Sequence, residues 1–261
     1  RTRITPQHSV YKFNQIKPKL VDANQLKEYD LLISLSNLPK LHLNNEKKFD
    51  LANSNFLNHE NEIYLYTDDL KFKSGKGLCY YCNKQYHLAT HVNLRHKERR
   101  IKKQPDADPK YKWVGFKNGH FGKIPRYWVL DEELAWILGY YCAEGSVSDC
   151  NTKSGKKRLL SFGSQNLDHI KKVKRYFNKI LENDLRIIKD YDKRINKHTY
   201  YYRVQRAPIV PLFQYIFDCG KLSEGKKVPY FIYSASKLIK EAFINGYLVG
   251  DCPVWKDKRY W

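Results

Sequence analysis

The chain has 261 residues, of which 48 are basic and 27 acidic, for a formal charge of +21 and a pI near 9.6. A field of that sign selects polyanionic partners, and no apolar run approaches the roughly 18–20 residues of a membrane-spanning helix. No secretory signal opens the chain, and six cysteines, only two at an informative spacing, fit a reducing intracellular compartment (cytoplasm or nucleoid) rather than a disulfide scaffold. Residue 1 is Arg and Met is absent throughout, so an interior fragment of a longer reading frame is expected.

Residues 1–40 read as short strands, one over 1–11 and one over 19–33. Thr5-Pro6-Gln7-His8 precedes Ala23-Asn24-Gln25-Leu26-Lys27-Glu28-Tyr29-Asp30. That order resembles the second conserved block of inteins, a Thr-x-x-His element ahead of an Ala-x-x-Leu-x-x-Gly-Asp turn, with Tyr29 here in place of Gly. The resemblance implies part of an all-β Hint splicing domain over 1–40, with host exteins as partners in cis. In it Thr5 and His8 polarise the scissile peptide of the upstream junction. The junction nucleophiles and the terminal His-Asn are expected outside 1–261, so the chain as written does not splice.

Residues 41–75 are rich in Asn and Lys without periodicity and read as a linker; 41–125 as a whole reads as an insertion carrying a finger at 78–98. Cys79-Tyr80-Tyr81-Cys82 on a turn, then His91 and His96 on a helix, supplies two thiolates and two imidazoles, a set suited to tetrahedral structural zinc. Tyr86 takes the place of the aromatic core residue of two-Cys, two-His fingers, and the gap of eight residues from Cys82 to His91 requires the helix to begin early. His87 is an alternative ligand. The basic run Arg95, Lys97, Arg99, Arg100, Lys102 and Lys103 follows, as a phosphate contact or a solvated tail.

From Lys123 onward the chain carries two similar stretches. Lys123-Ile124-Pro125 leads to an apolar helix with Gly139 in its interior and Glu144 five residues later. Lys227-Val228-Pro229 leads to a second, with Gly246 and then Asp251 at the same spacing. An interior Gly costs a helix about 1 kcal/mol relative to Ala, which is explained where another helix backbone comes close. Two such helices side by side bring Glu144 and Asp251 together, and paired acids suit a divalent metal. Between them the pattern predicts a strand at 158–162, a helix at 167–181 with Ile170, Val173, Phe177 and Ile180 inward, strands at 185–189 and 199–204, and a helix at 209–217.

Both helical segments resemble the LAGLIDADG motif of homing endonucleases: residues 137–145 and 244–252 fill its nine positions, with Cys252 where Gly closes the family motif. The resemblance implies an α+β fold over 126–261, one αββαββα half plus the start of a second, monomeric when complete. It implies Glu144 and Asp251 as ligands for magnesium, and Lys226, 25 residues ahead of Asp251, as the basic catalytic residue, with Lys227 as the alternative. Double-stranded DNA is the implied substrate, cut on both strands, and Lys156, Lys157, Arg158, Lys189, Arg194, Arg203 and Arg206 are the candidate contacts. His8-Ser9-Val10-Tyr11 and residues 138–145 look most like inteins of archaeal-type replicative DNA polymerases. A catalytically silent DNA-binding protein on the same scaffold is the other implied class, alongside a gene product named for its polymerase host.

Overall fold

The computed structural model describes residues 9–14, 17–27, 47–54, 63–69, 75–116, 122–152, 155–181, 185–192, 196–221 and 223–251. Thr5, His8, Arg194 and Cys252 lie outside the described residues. The chain forms two units, Arg1–Leu41 and His42–Trp261. In the first, β1 (Ser9–Asn14) and β2 (Lys17–Asp22) pair antiparallel, Ser9 opposite Asp22 and Asn14 opposite Lys17, and a 3₁₀ turn follows at Ala23–Gln25. Val10 pairs with Val21, Tyr11 with Leu20 and Phe13 with Pro18, and Val, Tyr and Phe are residue types that favour a pleated surface.

The second unit opens with structure that the composition of 41–75 does not announce. β3 (Lys48–Asp50) and β4 (Ile63–Tyr66) are followed by β5 (Lys76–Leu78), β6 (Gln85–His87), α1 (Leu88–Arg95), β7 (Arg100–Lys102), β8 (Trp113–Phe116), β9 (Lys123–Pro125) and β10 (Tyr127–Val129). β7-β4-β8-β9 form one antiparallel sheet, β3 pairs with β10, and β5 with β6. Leu51, Ala52, Ile63, Leu65 and Tyr66 belong to the buried core, so part of the expected linker is interior. Asp50 anchors it: Arg126 donates to both its oxygens at 2.7 and 2.8 Å, and also to the carbonyls of Ala107 and Asp108.

α2 (Glu132–Glu144) starts where the Asp131 side chain accepts from the Leu134 amide at 2.7 Å, with Glu132 and Glu133 in the positive first turn. It ends at Glu144, because Gly145 is already extended and opens β11 (Gly145–Thr152), a strand the sequence pattern does not predict. β12 (Gly155–Ser164), α3 (Leu167–Leu181), β13 (Ile187–Asp192) and β14 (Lys197–Val204) follow, in a sheet of order β11-β12-β14-β13 with every pair antiparallel. Val147, Leu160, Phe162, Tyr202 and Val204 are buried, and rings of α2 and α3 lie against them: Tyr140 on Phe162, Phe177 on Tyr202. Ile170, Val173 and Phe177 are buried at the predicted helical spacing.

α4 (Ile209–Pro211) is one turn, continued by a π-helical turn at Leu212–Ile216 in place of the predicted α-helix. Pro211 has no N–H to give, and the Phe217 amide reaches back five residues to the Leu212 carbonyl at 2.9 Å. α5 (Tyr230–Tyr233) and α6 (Lys237–Asp251) complete the unit. The order from Glu132 is therefore α, β, β, α, β, β, α, then the lead-in to α6. The protein is mixed α and β with several small antiparallel sheets, and among the described residues no helix is long and apolar enough to cross a membrane.

Candidate functional site

α2 and α6 meet through their glycines, reciprocally. A Cβ placed on Gly139 would stand 2.0 Å from the Phe243 carbonyl oxygen, and one on Gly246 would stand 2.1 Å from the Trp136 carbonyl oxygen. Each Gly thus faces the residue three before its counterpart, the signature of a local two-fold relation between the helices. One turn later Gly250 lies against the equivalent position, Ala143, with a hypothetical Cβ at 2.5 Å from Ala143 Cβ and 3.0 Å from Glu144 Cγ. The contact brings the two following residues, Glu144 and Asp251, out at the same end of the pair, both exposed.

Lys226 reaches that end from the loop before α5. Gly220, at φ +76°, lets this loop fold on itself, and the Tyr141 hydroxyl donates to the Gly220 carbonyl at 2.8 Å. Lys226 Nζ then donates to the Ala143 carbonyl at 3.3 Å, satisfying one of the free carbonyls at the negative end of α2. Lys227, the alternative, instead pairs with Asp218 at 2.8 Å on the exposed side.

The charges feel one another. Burial against the helix pair raises the Glu144 carboxyl above its ordinary value, the Lys226 ammonium opposes that rise, and the Asp251 carboxylate adds to it. Burial lowers Lys226, against the pull of Cys142, Glu144 and Asp251. Two carboxylates on the ends of rigid helices, mutually repulsive and open to solvent, form an oxygen donor set suited to a hard divalent cation.

A second cluster lies in the segment from Gly75 to Arg99. One donor atom each from Cys79, Cys82, His91 and His96 gathers within 4.8 Å of the others. Cys79 Sγ lies 3.4 Å from His96 Nε2, Cys82 Sγ 3.2 Å from His91 Nε2, and the two Nε2 atoms are 3.2 Å apart. Zinc bonds of about 2.0–2.3 Å span tetrahedral edges of roughly 3.3–3.6 Å between such donors, so the set is already close to a zinc polyhedron. The β5–β6 turn presents both cysteines, with Asn83 in the left-handed region at φ 56° and the Cys79 amide donating to the Lys84 carbonyl at 2.8 Å. α1 begins at Leu88, as the short gap demands, and His87 caps it, outside the cluster and exposed. His96 Nδ1 lies 3.1 Å from Glu98 Oε1, an outer partner that leaves Nε2 for metal. The cluster could hold a metal such as zinc.

The finger is fixed to the sheet through Asp68, a residue that the sequence did not single out. Asp68 accepts from the Tyr81 hydroxyl and from Arg99 (Nη2 at 2.9 Å, Nε at 3.3 Å), and Lys123 Nζ stands 3.6 Å away. Asp69 accepts from Arg206 at 2.6 Å, and Arg206 donates as well to the carbonyls of Lys123 and Leu181. Arg206, a candidate DNA contact, is therefore buried and engaged in holding β9 and the end of α3; this corrects the expectation that it faces outward. Arg158 lies 5.6 Å from the Phe116 ring centroid, turned toward the first sheet, whereas Lys189 is exposed on β13. Arg203 alternates with the buried Tyr202 and Val204 and so faces the open side of the sheet, opposite Ser161. Lys156 and Lys157 lie on β12, opposite Asn151 and Cys150.

No family model matches the chain. It is similar to a DNA polymerase of Thermococcus sp. (strain GE8), 26% identical over 223 residues, which is 82% of this chain and 11% of that protein. It is also similar to a DNA polymerase of Thermococcus kodakarensis, 27% identical over 131 residues (50% and 7%), and to an uncharacterised protein of Methanocaldococcus jannaschii, 29% identical over 131 residues (49% and 14%). The chain spans about a tenth of the length of the curated relatives it matches.

Proposed function

We propose that this chain is part of an intein carried by a DNA polymerase, and that residues 126–261 belong to a LAGLIDADG-type homing endonuclease that breaks both strands of a DNA site with magnesium. The observation that carries the reading is the reciprocal seat of Gly139 on Phe243 and Gly246 on Trp136, which sets Glu144 and Asp251 at one end with Lys226 beside them. The α, β, β, α, β, β, α order supports the same family. So does a mismatch between equivalent positions of the two helices: Ile137 and Tyr140 are buried, Tyr140 against Phe162 of the β11-β12-β14-β13 sheet, whereas their counterparts Ile244 and Tyr247 are 51% and 38% exposed on α6. A second half like the first would cover them. Similarity to polymerases over about a tenth of their length is consistent with an element inserted in a polymerase.

Glu144 and Asp251 would hold the magnesium, which when bound supplies Lewis acidity at a phosphoryl oxygen and a more acidic water. The chain's own residues do the rest. The glycine contact fixes both carboxylates on helices rather than loops, so their placement needs no reordering when DNA arrives. Lys226, held by the Ala143 carbonyl, puts a cation beside the site where negative charge grows on the phosphate. Arg203 and the open face of the sheet would lie along the duplex, within the cell that makes the polymerase.

The test uses the full gene product and its Glu144→Gln variant on a plasmid carrying the polymerase gene without the insertion. Wild type should linearise the plasmid with magnesium, and the variant should bind it with similar affinity while cutting at least 100-fold more slowly. Equal cutting by the variant would overturn the assignment of the acids. Tight, specific binding without cutting by wild type would instead establish the silent DNA-binding scaffold.

A further inference from the structure

We propose that the metal-bearing finger is itself a DNA-contacting surface, one that grips the phosphate backbone of duplex DNA from a fixed mount on the first sheet. The inference rests on the reading of the larger unit as a DNA-binding protein, but not on its cutting DNA.

The finger carries more exposed charge than its folding uses. Lys76, Lys84, Arg95 and Lys97 are all exposed, and none forms an ion pair with an acid among the described residues. The segment 75–99 contains a single acid, Glu98, and that one faces His96. Tyr80 is 79% exposed, its ring meeting Tyr81 edge-on at 5.9 Å and otherwise offering an aromatic surface to solvent. Little that is apolar is buried: among the residues whose burial is described, Cys79 and Val92 are the fully interior ones. The finger therefore depends on its metal for order, and the outward residues are free to serve a partner. Uncompensated cations without a matching acidic surface select a polyanion, and a duplex backbone offers phosphates at the density that four cations can use.

The mount makes the surface effective. Tyr81 in the knuckle and Arg99 at the exit both close on Asp68, the Thr67 amide donates to the Arg99 carbonyl at 2.9 Å, and Lys123 of β9 faces the same carboxylate. The knuckle and the exit of the finger are thus tied to the residues after β4 and, through Asp68, to Lys123 of β9. A basic module held in place loses less freedom on binding than one on a tether, so its contacts add to affinity.

The experiment measures binding of the zinc-loaded full chain to a random-sequence duplex, without magnesium or chelator, over 50–200 mM salt. It compares wild type with a variant in which Lys76, Lys84, Arg95 and Lys97 are all replaced by Ala. Four lost phosphate contacts should flatten the slope of log K against log salt by about 3.6, so that wild type loses about 100-fold more affinity than the variant across that range. The variant should keep one zinc per chain. An unchanged slope with zinc retained would overturn the proposal. As a second measurement that needs no charge removal, a photo-crosslinking phenylalanine analogue at Tyr80 should attach to the duplex, and failure to crosslink under saturating DNA would overturn it equally. Binding with the predicted slope but no cutting by the full gene product would sink the endonuclease reading and leave this surface standing; cutting with an unchanged slope would do the reverse.

Discussion

Replacing Gly246 by Ala separates two effects of opposite sign. In an isolated helix the change favours folding by about 1 kcal/mol, because Ala forms helix better than Gly. Here the new methyl would stand 2.1 Å from the Trp136 carbonyl oxygen and 2.9 Å from its carbon, against an ordinary contact of 3.4 Å or more, so α2 and α6 must part by about 1.3 Å. The obstacle is backbone, which cannot rotate aside, so the overpacking cost falls at the upper end of the usual range, about 3 kcal/mol. The net is a loss of about 2 kcal/mol, or about 4–8 °C in Tm for a chain of this size. Thermal and denaturant unfolding of Gly246→Ala, beside Gly225→Ala as a control with nothing within 4 Å of its Cβ, would measure it. A Gly246→Ala protein as stable as wild type would refute the close helix contact on which the placement of Glu144 and Asp251 depends.

Two further outcomes follow from the finger and its mount. Cys79→Ser should lower zinc content from one to near zero per chain and raise amide exchange across 75–98, while α2 and α3 keep their protection; retained zinc would dismiss the four-ligand set. Burial pushes Lys123 down to about 8, despite Asp68 nearby. Because the unfolded chain holds that proton up to about 10.5, the unfolded state binds more protons between those values and stability should rise with pH across that window. Lys123→Met should lack this rise, and identical pH slopes in the two proteins would refute the buried, depressed lysine.

What the sequence disclosed depended on how local each signal was. The spacing of Cys79, Cys82, His91 and His96 is a short-range pattern fixed by ligand geometry, and the structure gathers those four and leaves His87 out. The interior glycines of α2 and α6 were legible because each costs helix stability with no local compensation. By contrast, β4 is four residues after an Asn-rich stretch, too short for its pattern to register, and β11 begins at the very Gly that the motif assigned to the helix. Arg206 looked like a surface cation because its partners, Asp69 and the Lys123 carbonyl, lie 137 and 83 residues away. No periodicity encodes such a pair.

The two helices also show why duplication of a motif is not duplication of an environment. Tyr140 is buried, its ring against Trp136 of its own helix and Phe162 of β12, and its hydroxyl donating to the Gly163 carbonyl at 3.2 Å. Tyr247, at the same place on α6, is 38% exposed, and Ile244 and Leu238 of the same helix are 51% and 60% exposed. Large apolar side chains repeated at helical spacing and left open form a patch of the kind that marks an interface. Since α2 and α6 touch through reciprocal glycines, a cover on α6 related to the β11-β12-β14-β13 sheet by the same local two-fold would bury that patch without moving either carboxylate.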